Sequence, residues 1–148
     1  MRLLFIRHAI AAPAEGEKSF RHTARMLARV ARKPRAILTS PHKRAQQTAA
    51  IAAEPWADLD PILVPALGAG DWPAICRVLS TYDSEDTIAL VGHESWISTI
   101  TARFLGSRSH RAFDYRKGGA ALIDAEDLGA CKGSLLWFIP PRIFRRLA

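Results

Sequence analysis

Three short stretches put arginine and histidine where chemistry is plausible: Arg7 and His8 in "LLFIRHAIAAP", Arg44 in "LTSPHKRAQQTAAI", and His93 in "LVGHESWISTI". A guanidinium is always charged and forks onto two oxygens, so a pair of them can clamp a phosphate. A neutral imidazole can attack phosphorus and form a covalent phosphohistidine that water later hydrolyses. A second imidazole, when protonated, stabilises charge on the equatorial oxygens of the transition state. Nothing in that chemistry requires a metal or a cofactor. These are the parts of a phosphoryl-transfer site, provided that the fold gathers them.

The elements that must position them follow from the apolar pattern. Leu3 to Ile6 reads as a buried strand that ends abruptly at Arg7, and Ala36 to Thr39 as a second strand. Ser19 to Arg32 reads as a helix with Met26, Leu27, Val30 and Ala31 on one apolar face. Ser40 and Pro41 supply an N-cap and a first-turn proline for a helix through about Ala53. Ile62 to Val64 is a short strand, Trp72 to Tyr82 a helix, and Thr87 to Val91 another buried strand. A helix from Ser95 to Leu105 stops at Gly106. Ala120 to Ile123 and Leu135 to Ile139 look like strands joined by a polar turn, and a short basic helix, Pro141 to Ala148, closes the chain.

Strand and helix alternating in this way predict an α/β fold: a three-layer sandwich, mostly parallel, with helices on both faces. Ligands of such sheets bind beyond the carboxyl ends of the strands. Arg7, His8, Arg44 and His93 all fall there. The helix beginning near Ser95 is expected to point free N–H groups and its positive dipole end at the same rim.

Length and composition narrow the class. At 148 residues the chain is one domain's worth, with no repeat, linker or low-complexity tract to divide it. Cys76 and Cys131 stand far apart and outside any CxxC pattern, against a disulfide framework or a zinc site. "HESWI" is not the zinc motif HExxH, because Ile97 stands where the second histidine must be. No Walker loop is present, and Gly68 and Gly70 lack the third glycine of a dinucleotide fingerprint. The first apolar run is too short for a signal-peptide core or a membrane span, so a soluble, cytoplasmic protein is expected. A net charge of +7 implies an anionic partner, but the basic residues are dispersed and no nucleic-acid-binding motif accompanies them.

The blocks "IRHAIAAP", "LTSPHKRAQQTAAI" and "LVGHESWISTI" resemble the three signature blocks of the histidine phosphatase superfamily, in the same order. The resemblance runs from Arg2 to about Gly119. Within the superfamily it is closest to the small SixA-type phosphohistidine phosphatases: alanine follows the histidine in "RHAIA", "GHES" stands near their GHEP, and "FDYRKGGAALID" is similar to their K-G strand. The resemblance implies a phosphoglycerate mutase-like α/β fold, His8 as nucleophile, Arg7 and Arg44 holding the phosphate, and His93 completing the pocket. It further implies phosphohistidine on a signalling or phosphocarrier protein as substrate, with phosphate as product. The tautomer required at His8 carries the proton on Nδ1, donated to a backbone carbonyl, and leaves Nε2 free to attack.

Departures from the family pattern leave five further candidates for substrate contact. "KSFRHTARM" stands where relatives carry R-x-L-T-x-x-G, with Arg21 as a stand-in. Asp71 in "LGAGDWP" is either a general acid or the N-cap of the helix at Trp72. Glu94 either orients a histidine or faces substrate, Ser95 opens its helix at the rim, and Lys117 either touches substrate or simply sits in a turn. His22, His42 and His110 read as surface residues. Two other functions fit the same residues: a small-molecule phosphomonoesterase, and a catalytically silent phosphate- or phosphoprotein-binding module.

Overall fold

A computed structural model describes residues 1–9, 13–57 and 59–147. Ile10 to Ala12 of the first block and Ala148 of the expected tail helix lie outside the described residues. Six strands form one sheet: β1 (Arg2–Arg7), β2 (Ala36–Thr39), β3 (Ile62–Leu63), β4 (Thr87–Gly92), β5 (Ala120–Asp127) and β6 (Lys132–Ile139), in the order β3-β2-β4-β1-β5-β6. The β3-β2-β4-β1 part is parallel, and β5 and β6 extend it antiparallel.

Both faces are covered, which is why β1 is apolar without alternation. Leu4 and Ile6 face one way, into a core built with Phe20, Leu27, Ile51 and Phe144. Leu3 and Phe5 face the other, against Leu67, Trp72, Ile75, Ile97 and Tyr115. The first layer holds α1 (Pro13–Val30), α2 (Lys43–Ala53) and the tail helix α6 (Pro141–Arg146). The second holds α3 (Ala66–Ala69), α4 (Trp72–Leu79) and α5 (Trp96–Phe104). The architecture is the α/β sandwich read from the sequence.

Three local differences have physical causes. Helix α1 starts at Pro13 rather than near Ser19, and Glu15 in its first turn complements the helix dipole. Helix α2 starts at Lys43 with His42 as N-cap, because Ser40 spends its hydroxyl elsewhere. Helix α3, four residues long, is too short for a periodic signal and went unread. The tail helix buries Phe144 completely while Arg142 and Arg145 stay at the surface. Among the described residues no helix is long and apolar enough to cross a membrane.

Candidate active site

The parallel register of β1 and β4 places Arg7 opposite Gly92, so the residues that follow, His8 and His93, emerge side by side. The His8 N–H donates to the Gly92 carbonyl at 3.0 Å, which carries the pairing one residue beyond the strand. The two imidazole centroids lie 4.9 Å apart. Backbone bonds from Arg7 N–H to Gly119 O (3.0 Å) and from Gly118 N–H to Arg7 O (3.1 Å) fix the other side of the same turn.

Helix α2 supplies the next wall. Thr48 is buried, and its hydroxyl accepts the Ala9 N–H at 3.0 Å while donating to the Arg44 carbonyl at 2.8 Å. One threonine thus ties the segment after His8 to the first turn that carries Arg44. Together His8, His42, Lys43, Arg44 and His93 line a pocket of about 330 Å³ at the carboxyl ends of the strands. A roomier concavity of about 620 Å³, lined by residues such as Arg116, Phe138 and Arg142, contains no imidazole.

Ser40 was expected to cap α2. Instead it is fully buried, its Oγ lies 2.7 Å from Nε2 of His93, and it accepts the His42 N–H at 3.2 Å. The hydroxyl therefore orients His93 and shapes the entry to α2 at once. Sequence alone cannot separate the two uses, since S-P before a helix is also a capping pattern. His42 was read as a surface residue. It is exposed, but its ring packs 4.4 Å from that of His93, on the pocket wall.

Arg7 donates through a terminal nitrogen to the Tyr115 carbonyl, and its buried Nε has no partner among the described residues. Its charge reaches both imidazoles. Burial first, then His93, Arg7, Lys117 and Arg44, lower the His8 pKa to about 4, so the ring is neutral at neutral pH. Burial, then His42 and Arg7, also lower the pKa of His93, so the unliganded protein holds the second imidazole neutral. Nδ1 of His8 is buried and has no hydrogen-bond partner among the described residues, so the carbonyl expected to accept its proton is not found among them.

The five further candidates divide. Lys117 is exposed in a turn, near enough to His8 to repel its proton. Arg21 does not reach the pocket: its Nε pairs with Glu54 at 3.2 Å, and Glu17 lies 3.8 Å from its terminal nitrogen. Asp71 is the N-cap of α4, accepting the Ala74 N–H at 3.2 Å. Glu94 turns back onto α5, accepting from the Ser98 N–H (3.2 Å) and hydroxyl (2.9 Å). Ser95 is the N-cap residue of α5 with no side-chain cap bond. The N–H groups of Ile97, Ser98 and Thr99 bond to His93, Glu94 and Ser95, which withdraws these three from the anion site expected at the first turn.

Paired imidazoles and a helix-borne arginine thus meet at the carboxyl ends of a parallel sheet, an arrangement chemically suited to phosphoryl transfer. The family description for the histidine phosphatase superfamily (branch 1) matches residues 13–74. Similar solved structures include the protein histidine phosphatase SixA in complex with tungstate, at 19% identity, TM-score 0.80, and coverage of 97% of this chain and 99% of that one. The α-ribazole phosphatase from Shigella flexneri is similar at 19% identity and TM-score 0.74, over 95% and 97%. A phosphoserine phosphatase mutant from Entamoeba histolytica, in complex with phosphoserine, is similar at 15% identity and TM-score 0.75, over 99% of both chains. No curated protein matches the chain. These likenesses show that the chain shares the phosphoglycerate mutase-like fold of these phosphatases.

Proposed function

We propose that this chain is a cytoplasmic phosphatase of the histidine phosphatase superfamily, that it works through a phosphohistidine at His8, and that its substrate is phosphohistidine on a signalling or phosphocarrier protein. His8 Nε2 attacks phosphorus, and the bond to the leaving group breaks. Arg7, Arg44 and His93 hold the transferring oxygens, and water then cleaves the phosphoenzyme to release phosphate. The observation that carries the mechanism is the pair of facing imidazoles, with the His8 pKa lowered to about 4 by burial and four neighbouring basic groups. A nucleophile must be unprotonated, and such a ring stays so through the physiological range. The unpartnered Nε of Arg7 beside them is a buried donor that an oxyanion would satisfy.

Two observations support a protein substrate. Neither Asp71 nor Glu94 is free to act as a carboxylic acid, which suits a P–N bond better than an alkyl ester. Lys43 and Arg44 also give the pocket an exposed basic rim, with the exposed Lys117 near enough to act on His8, fitting an acidic partner surface. A small phosphate ester is the second reading, favoured by the near-equal likeness to the α-ribazole and phosphoserine phosphatases.

Parallel hydrolysis of phosphohistidine, free and on a phosphocarrier protein, p-nitrophenyl phosphate and sugar phosphates separates these readings. EDTA is present throughout, and His8→Ala is the control. Fast loss of phosphohistidine with little sugar-phosphate turnover is the expected result. Efficient turnover of one sugar phosphate instead establishes the second reading. Acid-quench trapping of labelled phosphoenzyme tests the nucleophile: a parent that binds phosphate but never traps label is a binding module.

A further inference from the structure

Among the described residues, the carboxylates, the phenol and the second imidazole around the pocket each have a hydrogen-bond partner, whereas His42 does not. Nε2 of His93 is tied to Ser40, Asp71 caps α4, and Glu94 is held by Ser98. Tyr115 is buried with its hydroxyl 2.8 Å from that of Thr101, and burial raises its pKa further. The ring of His42 lines the pocket, packs on His93, and makes no hydrogen bond among the described residues.

The position of His42 is built rather than incidental. As the N-cap residue of α2 it has extended backbone (φ −64°, ψ 137°), with its N–H anchored on Ser40 Oγ. One side of the ring faces His93, and its Nε2 lies beside α3, where a Cβ at Gly68 would stand 3.6 Å away. The charged or titratable groups that share the pocket with it are His8 beyond β1, Lys43 and Arg44 on α2 and His93 beyond β4; α3 contributes none.

We propose that His42 is the proton donor of this site, in the place where the pocket lacks a carboxylic acid. The proposal rests on the reading that His8 takes up the phosphoryl group. In the first step His8 Nε2 forms a bond to phosphorus as the bond to the leaving oxygen or nitrogen breaks, and that atom's electron pair takes the proton of the His42 imidazolium. In the second step water forms a P–O bond as the P–N bond to His8 breaks, and the water's proton returns to neutral His42. The balance is hydrolysis, with both histidines restored.

A donor reveals itself through the leaving group. The experiment compares kcat/KM of the parent and His42→Gln on p-nitrophenyl phosphate, phenyl phosphate and ethyl phosphate, with phosphoenzyme trapping of both proteins. Ethyl phosphate hydrolysis should fall about 10²- to 10⁴-fold, whereas p-nitrophenyl phosphate, whose leaving group departs unaided, should change by no more than about threefold. On p-nitrophenyl phosphate kcat should fall more than kcat/KM, because dephosphorylation still needs the base, and the alkaline limb of the parent's kcat/KM profile on ethyl phosphate should disappear. An equal loss on all three esters makes His42 a support for His93 and overturns the proposal. No loss on any ester makes it a bystander, with the same consequence. A parent that fails to trap phosphoenzyme instead removes the underlying nucleophile reading. The two failures are therefore distinct.

Discussion

Gly92→Ala tests how the second histidine is held. A Cβ at Gly92 would stand 2.1 Å from Cζ2 of Trp96 and 2.9 Å from two further atoms of the same ring. Ordinary contact begins near 3.4 Å, so the indole or the strand end must move by about 1.3 Å. The ring is not free to do so. At its other end a Cβ at Gly70 would already meet Trp96 Cγ at 2.3 Å, and Nε1 donates to the Leu67 carbonyl at 3.0 Å. Overpacking of this kind costs about 1–3 kcal/mol, and losing the indole hydrogen bond adds about 1 kcal/mol. A destabilisation of about 2–4 kcal/mol is therefore expected, read from urea unfolding. Because His93 lies between Gly92 and Trp96, a displacement of that size should also lower kcat/KM about 10²-fold. Gly68→Ala is the control: its Cβ meets nothing nearer than 3.5 Å, and in a helix it should hold or raise the urea midpoint. Gly92→Ala combined with Trp96→Ala should cost at least about 1 kcal/mol less than the two singles together, since the clash needs both partners. A Gly92→Ala protein with the parent's midpoint, or a strictly additive double variant, would refute the reasoning.

Three other predictions follow from the site. NMR titration of the His8 ring should give a midpoint near pH 4; a value near the ordinary 6.5 contradicts the burial argument. Because the folded pKa is depressed, the unfolded chain binds more protons at His8 between about pH 4 and 6.5. The stability of the parent should therefore fall as pH drops through that window, and more steeply than that of His8→Asn. Ser40→Ala removes the partner of His93 Nε2 and should cost about 1 kcal/mol in urea unfolding, with up to about a tenfold loss in kcat/KM; unchanged kinetics would show that Ser40 only shapes the backbone. Arg21→Ala and Asp71→Ala should leave kcat/KM on p-nitrophenyl phosphate unchanged, while Asp71→Ala loses about 1 kcal/mol with its cap. A kinetic defect in either would place it at the substrate.

What the sequence revealed, and what it hid, divides by the range of the interaction. The apolar run from Leu3 to Ile6, broken at Arg7, is legible because a strand buried on both faces has no reason to end in a guanidinium unless something beyond it needs the charge. The same local logic found Arg44 in the first turn of α2 and His93 after β4. Ser40 defeated it because a serine before a helix has two uses, capping and tertiary bonding, and only the position of His93 decides between them. Glu94 shows the reverse: an acid beside a candidate site histidine invites a chemical role, but its carboxylate is held by Ser98, four residues along the chain. Trp96 looked like a residue of a failed zinc motif. It explains why the residue before His93 must be glycine, a constraint carried by a ring that no local pattern could orient. His42 was hidden most completely, because nothing in "SPHKR" distinguishes a solvated histidine from one laid across His93 and against α3. The structure makes that distinction through the ring of His93 and through α3, a helix too short to announce itself in the periodicity.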